Sequence, residues 1–185
     1  SGSAVVFKPA RRTARTAAVL AEALWDAGVP REALQFVVLG DSALGETLVA
    51  DDRVDQVILT GGYETAELFR SFRPDLRLLA ETSGKNAIVV TPSADLDLAV
   101  RDIVQSAFGN AGQKCSAASL AILVGTVADS ERFRRQLADA VTSLAVGWPY
   151  DATSAVGPLI EPPGRKLARG LGALDEGESW LIAPR

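Results

Sequence analysis

The sequence predicts an α/β protein built on parallel, doubly wound sheets. Three observations carry this. Short apolar runs alternate with amphipathic segments along the chain, as strands and crossover helices do. Gly-containing turns follow several of the apolar runs, at 40–42 and 60–62. The 185 residues are 48% hydrophobic, enough for one ordinary domain or two small ones.

Taken in order, Ala4–Lys8 is a strand candidate and Thr13–Ala27 a helix. The helix has apolar residues at Ala17, Leu20, Ala21, Leu24 and Trp25, Gly28 at its C-terminal cap and Pro30 beyond. Leu34–Leu39 (LQFVVL) is a continuous apolar run, the pattern of a strand buried on both faces. A short helix at Ala43–Ala50, a strand at Val54–Leu59, a helix from about Glu64 and a strand at Leu76–Ala80 follow. Asn86–Thr91 is the next strand, Asp95–Phe108 a helix that Asp95 can cap, Leu120–Val124 a strand and Glu131–Leu144 a helix. Residues 145–163 form a Pro- and Gly-rich loop, then a helix begins near Gly164, and Trp180–Ile182 closes the chain as a strand. The strands at 76–80 and 86–91 have no helix between them. Neighbouring parallel strands need a crossover of a dozen or more residues, so the chain either turns back or moves to another sheet. Thr82–Lys85 is therefore read as a domain boundary, with one piece at 4–82 and another at 83–185.

Composition excludes several chemistries. The chain has no His and one Cys, so neither a His-based triad nor a multi-thiolate metal site can form within it; no metal is expected. A net charge of −4 argues against nucleic acid as a partner. No run reaches the roughly 18 apolar residues of a membrane span. The single thiol and the lack of a targeting segment fit a cytoplasmic protein. Ser1-Gly2-Ser3 reads as a tag scar or linker, and with no Met the chain reads as an internal piece of a longer protein.

Chemistry concentrates at two places. Cys115 lies in Asn110-Ala111-Gly112-Gln113-Lys114-Cys115-Ser116-Ala117. A lone Cys is commonly a buried structural thiol. A Gly-containing loop with an adjacent Lys favours the reactive thiolate instead, and the local residues leave both readings open. Glu81 ends a strand. It is either a surface carboxylate, with Lys85 in reach as an ion-pair partner, or a general base in a chain without His. Lys8-Pro9, Gly40, Gly45 and Thr60-Gly61-Gly62 sit in strand-to-helix turns, at the sheet edge where ligands of parallel sheets bind. Each is by default a solvated Lys or a turn glycine, and none has the GxGxxG spacing.

Together these segments resemble the aldehyde dehydrogenase superfamily, over essentially the whole chain from residue 4. Glu81-Thr82-Ser83-Gly84-Lys85 resembles its glutamate motif. Asn110–Cys115, with Cys115 34 residues after Glu81, resembles its cysteine motif. Val6–Ala10, the turn after Leu39 and Leu59–Gly62 resemble its cofactor segments, and 146–149 with 156–160 resembles the stretch after the cysteine. Within the superfamily, the residues around Cys115 and Glu81 are most similar to L-glutamate γ-semialdehyde (1-pyrroline-5-carboxylate) dehydrogenases, as in the dehydrogenase half of bifunctional proline utilisation A proteins.

The resemblance implies part of a Rossmann-like NAD(P)-binding domain followed by the first half of an α/β catalytic domain. It implies Cys115 as nucleophile, passing through a thiohemiacetal and a thioester, and Glu81 as the base that activates water. A free thiol of ordinary pKa near 8.5 is only about 3% thiolate at pH 7, so activation is needed. Lys114 and Ser116 would hold the substrate carboxylate. Phe108 would line the aldehyde pocket, or serve as a core aromatic. Lys8, Pro9, Gly40, Gly45, Thr60, Gly61, Gly62 and Thr82 would bind NAD, with NADP possible. Arg11 stands where NAD-preferring relatives often have Glu, which puts strict NAD preference in question, and Gly62 stands where Ser is frequent, which loosens a polar contact near the cofactor. An oxyanion-stabilising Asn would lie upstream, so the piece alone is expected to be nearly inactive. The implied parent is a homo-oligomer acting on a small aldehyde, and the piece alone is expected to self-associate through open strand edges. The alternatives are a CoA-acylating branch, which would not need Glu81, and a non-catalytic nucleotide-binding or interaction module with a structural Cys.

Overall fold

The computed structural model describes residues 2–184. Six strands and six α-helices alternate: β1 (Val5–Phe7), α1 (Ala14–Asp26), β2 (Leu34–Phe36), α2 (Ser42–Ala50), β3 (Val57–Thr60), α3 (Tyr63–Phe72), β4 (Leu78–Glu81), β5 (Asn86–Val90), α4 (Leu96–Phe108), β6 (Ala118–Leu123), α5 (Glu131–Thr142) and α6 (Arg165–Gly172). All strand pairing is parallel: β1 with β2, β3 with β4, and β5 with β6. Each pair is joined by one helix, because a tight turn cannot connect parallel neighbours. The short link from β4 to β5 takes the chain from one sheet to another. The chain divides into two compact units, residues to Ser83 and residues from Gly84.

Local chemistry fixes the helix ends. Asp95 caps α4 by accepting from the amides of Asp97 and Leu98 at 3.0 and 3.1 Å, and Ser130 caps α5 by accepting from Phe133 at 3.2 Å. The expected first helix opens as a 3₁₀ turn at Arg11–Thr13 before α1 begins. Gly28, at φ +96°, ends α1; its amide bonds the Trp25 carbonyl at 2.9 Å.

In unit 2, Phe133 of α5 is fully buried against Val90, Val100, Ile103 and Val127. Unit 1 buries mainly small residues: Ala17, Ala21, Val49, Ala66 and Leu76. There Arg73 donates to the carbonyls of Asp51 and Val54, at 2.6 Å each, and ties the end of α3 to the turn after α2.

Two expectations fail. Trp180–Ile182 is not a strand, since no neighbouring strand supplies it with a ladder. The run LQFVVL is a strand only over Leu34–Phe36, and Val38 is 60% exposed. Its apolar character matches an uncovered face rather than burial on both sides. The same holds elsewhere: Ile58 is 77% and Val89 57% exposed. The surface totals 13716 Å², against about 10,000 Å² for two separate compact bodies of half this mass.

Two substitutions probe these cores. Phe133→Ala should cost unit 2 about 3–5 kcal/mol, read by denaturant unfolding. Arg73→Ala should cost unit 1 about 1–3 kcal/mol. An effect below about 0.5 kcal/mol at either position would contradict the packing described.

Candidate active site

Cys115 stands at the tip of a turn. After α4 ends at Phe108, the chain makes a 3₁₀-like turn in which Asn110, Ala111 and Gly112 all have positive φ, at 54°, 55° and 69°. A Cβ on Gly112 would lie 3.0 Å from the Ala107 carbonyl oxygen, so geometry and space both call for glycine. Lys114 to Ala117 then form a second turn, closed by the Ala117 amide on the Lys114 carbonyl at 3.1 Å. Cys115 and Ser116 are its two central residues, and the thiol is exposed and free.

Two side-chain amides grip this loop. Asn86, the first residue of β5, donates from Nδ2 to the carbonyls of Cys115 at 2.7 Å and Ala117 at 2.9 Å. Gln113 donates to the Pro158 carbonyl at 3.2 Å and accepts from the Ile160 amide at 2.9 Å. Neither role was visible in the sequence. Gln113 stood in the cysteine motif, and Asn86 followed the glutamate motif, but no local pattern revealed what they touch. Lys114 and Ser116 share the loop with Cys115, both exposed, and Lys114 enters no ion pair among the described residues. Phe108 is the last residue of α4 and is 36% exposed.

In unit 1 the predicted residues gather at the carboxyl ends of the strands. Lys8 and Pro9 follow β1, and Gly40 follows β2 of the same pair. Thr60 pairs with Glu81 at the end of the β3–β4 ladder, and the Gly61 amide donates to the Glu81 carbonyl at 3.0 Å. Glu81 is exposed, with Thr82 half-buried beside it. Glu81 belongs to unit 1 and Cys115 to unit 2.

The helix ends in unit 1 are not equivalent. Asp41 caps α2 by accepting from the Leu44 amide at 2.9 Å, so the helix after Gly40 already carries an acid at its N-terminus. Gly45 lies within α2, half-buried. The α3 N-terminus follows Gly61-Gly62 and has no side-chain cap. Its free amides suit a phosphate. A Cβ on Gly62 would come within 3.1 Å of the Glu64 carboxylate.

A model of the aldehyde dehydrogenase family matches residues 1–178. The chain belongs to the aldehyde dehydrogenase family. A 1-pyrroline-5-carboxylate dehydrogenase of Geobacillus thermodenitrificans (strain NG80-2) is 37% identical over 169 residues, covering 87% of this chain and 32% of the relative. The solved proline utilization A (PutA) of Corynebacterium freiburgense superposes with a TM-score of 0.92 at 50% identity, covering 100% of this chain and 19% of that one. A betaine aldehyde dehydrogenase of Staphylococcus aureus, solved in complex with NAD+, gives a TM-score of 0.80 at 28% identity, covering 86% of this chain and 32% of that one. The chain thus spans about a third of the first relative and about a fifth of the PutA chain. No helix among the described residues is long and apolar enough to cross a membrane.

The loop after α5 has its own support. Asp151 accepts from the Thr153 amide at 2.9 Å and the Thr153 hydroxyl at 2.7 Å, and these bonds hold its carboxyl below the usual carboxylate range. A carboxyl lowered on folding stabilises above its unfolded pKa of about 3.9, and that contribution is lost as pH falls. Acidification below about pH 4 should therefore loosen the 148–154 turn and change the fluorescence of the neighbouring Trp148; Asp151→Asn should reduce the change. For the loop before Cys115, Ala111→Gly should stabilise unit 2 by about 0.5–1 kcal/mol by relieving the left-handed alanine, while Gly112→Ala should destabilise by about 1–2 kcal/mol. Thermal unfolding distinguishes the two signs.

Proposed function

We propose that the parent of this chain is an NAD(P)-dependent aldehyde dehydrogenase that oxidises L-glutamate γ-semialdehyde to L-glutamate in proline breakdown. The observation that carries this is the exposed thiol of Cys115, at the tip of an anchored turn, in a chain of the aldehyde dehydrogenase family. The names and identities of its relatives support the substrate.

Cys115 passes its proton to water, and its sulfur bonds to the aldehyde carbon while the carbonyl π pair moves to oxygen, giving the oxyanion of a thiohemiacetal. Collapse of that adduct breaks the carbon–hydrogen bond and leaves a thioester on Cys115. The nicotinamide cofactor, when bound, takes up the hydride. Glu81 removes a proton from water, which attacks the thioester; the acid leaves and Cys115 departs as thiolate. Lys114 and Ser116 flank the nucleophile and hold the substrate carboxylate, with Phe108 against its carbon chain. Lys114 also favours the thiolate.

The chain's residues fit the cofactor. Lys8 offers an exposed cation for the adenosine ribose. Backbone at Gly61-Gly62 and the α3 N-terminus, which has no side-chain cap, suit the pyrophosphate once the Glu64 carboxylate beside Gly62 turns away. Gly40 leaves open backbone on the same edge, and Pro9, Gly45, Thr60 and Thr82 shape the walls. Arg11, in the turn after Pro9, tolerates a 2′-phosphate, so NADP is admitted beside NAD.

We read unit 1 as part of the cofactor domain and unit 2 as part of the catalytic domain of a cytoplasmic homo-oligomer. The 185-residue chain alone is then nearly inactive, and it self-associates through its exposed strand edges.

The test uses a chain extended at both ends to the length of its relatives. Reduced-cofactor formation is followed with glutamate γ-semialdehyde and NAD+ or NADP+. Turnover is expected with both cofactors and should fall by at least about 10³-fold in Cys115→Ala. Activity with simple aldehydes alone would overturn the substrate assignment. Undiminished turnover in Cys115→Ala would overturn the mechanism.

A further inference from the structure

We propose that Asn86 and Gln113 are positioning residues for Cys115, holding its turn through two separate anchors and not through a hydrogen bond to the thiol. The inference rests on Cys115 being the nucleophile, and adds to that reading how the sulfur is held.

The two grips are built differently. The β5–β6 ladder shifts register between Asn86 and Ala87: Asn86 faces Ala118, while Ala87 faces Leu120. At this irregular end, the Asn86 side chain spends both amide hydrogens on the Cys115 and Ala117 carbonyls, at 2.7 and 2.9 Å. It thus binds the nucleophile's own peptide unit to the first residue of a strand. Gln113 instead uses its amide as a strand would, accepting from the Ile160 amide and donating to the Pro158 carbonyl. Its Nε2 also reaches the Asn110 carbonyl at 3.3 Å, and the Asn110 side chain returns a bond to the Gln113 carbonyl at 3.2 Å.

The loop needs such anchors. Asn110 and Ala111 occupy the left-handed region, which costs a non-glycine residue about 1–2 kcal/mol. Strained backbone of this kind persists only where its surroundings over-determine it. Between the strained turn and β6, the bonds of Asn86 and Gln113 are the side-chain links from Gln113–Ala117 to distant parts of unit 2 among the described residues. Loss of either lets the turn relax, and a displacement of about 1 Å at a nucleophile costs on the order of 10²-fold in rate.

The experiment compares wild type, Cys115→Ala, Asn86→Ala, Gln113→Ala and Gln113→Glu in the extended chain. Turnover is expressed per thiol titrated with iodoacetamide, beside KM and melting temperature. Asn86→Ala and Gln113→Ala should each lower kcat per thiol by about 30–100-fold, with KM changed less than about threefold. Gln113→Glu keeps the acceptor for Ile160 and loses the donors, so its kcat should fall between; as an exposed, nearly isosteric change it guards against a folding defect. In the 185-residue chain, Gln113→Ala should speed hydrogen exchange at the Ile160 amide by at least about tenfold. A lower melting temperature with kcat per thiol within about threefold of wild type would mark both residues as merely structural and overturn the proposal, as would unchanged exchange at Ile160. Inactivity of Cys115→Ala alongside such unchanged variants would leave the nucleophile standing, whereas an active Cys115→Ala would remove the nucleophile itself.

Discussion

Parallel strands cannot be joined by a tight turn, and the rest of the structure depends on this constraint. A helix must carry the chain from the end of one strand back to the start of the next. In unit 2 that return, through α4, delivers the cysteine loop to the starting edge of β5 and β6. There Asn86 and Cys115 meet across 29 residues of sequence. In unit 1 the same constraint puts Thr60 and Glu81 side by side where β3 and β4 end. Residue chemistry decides what each edge can do; the topology decides which residues share an edge.

Much of this was legible in the sequence because it depends on neighbours. The Asp95 cap, the Gly28 stop and the order of helices and strands follow from side chains within a turn or two of one another. The short link at 82–85 left a turn back or a second sheet open, and β4 and β5 lie in different sheets. The errors have a different cause. LQFVVL and Trp180–Ile182 are apolar, and apolarity alone does not show whether a face is covered or a partner strand is present.

The site divides along the same line. The position of Cys115 in a loop, its neighbours Lys114 and Ser116, and Glu81 at a strand end could all be read from the motif residues. Left-handed Asn110 and Ala111 could not, since neither is glycine. The bonds of Asn86 and Gln113 depend on a register shift and on contacts 29–47 residues apart, which no local pattern encodes. The Asp41 cap was within reach, as an Asp just before a helix.

The central claim, that Cys115 carries the acyl group and Glu81 releases it, is tested most directly by trapping the intermediate. The extended chain bearing Glu81→Ala would be mixed with glutamate γ-semialdehyde and NAD+, quenched in acid and mapped by mass spectrometry. The account predicts one equivalent of reduced cofactor, then arrest, with a thioester of glutamate mass on the peptide containing Cys115. Continued turnover at the wild-type rate, or an acyl group found on a residue other than Cys115, would contradict it.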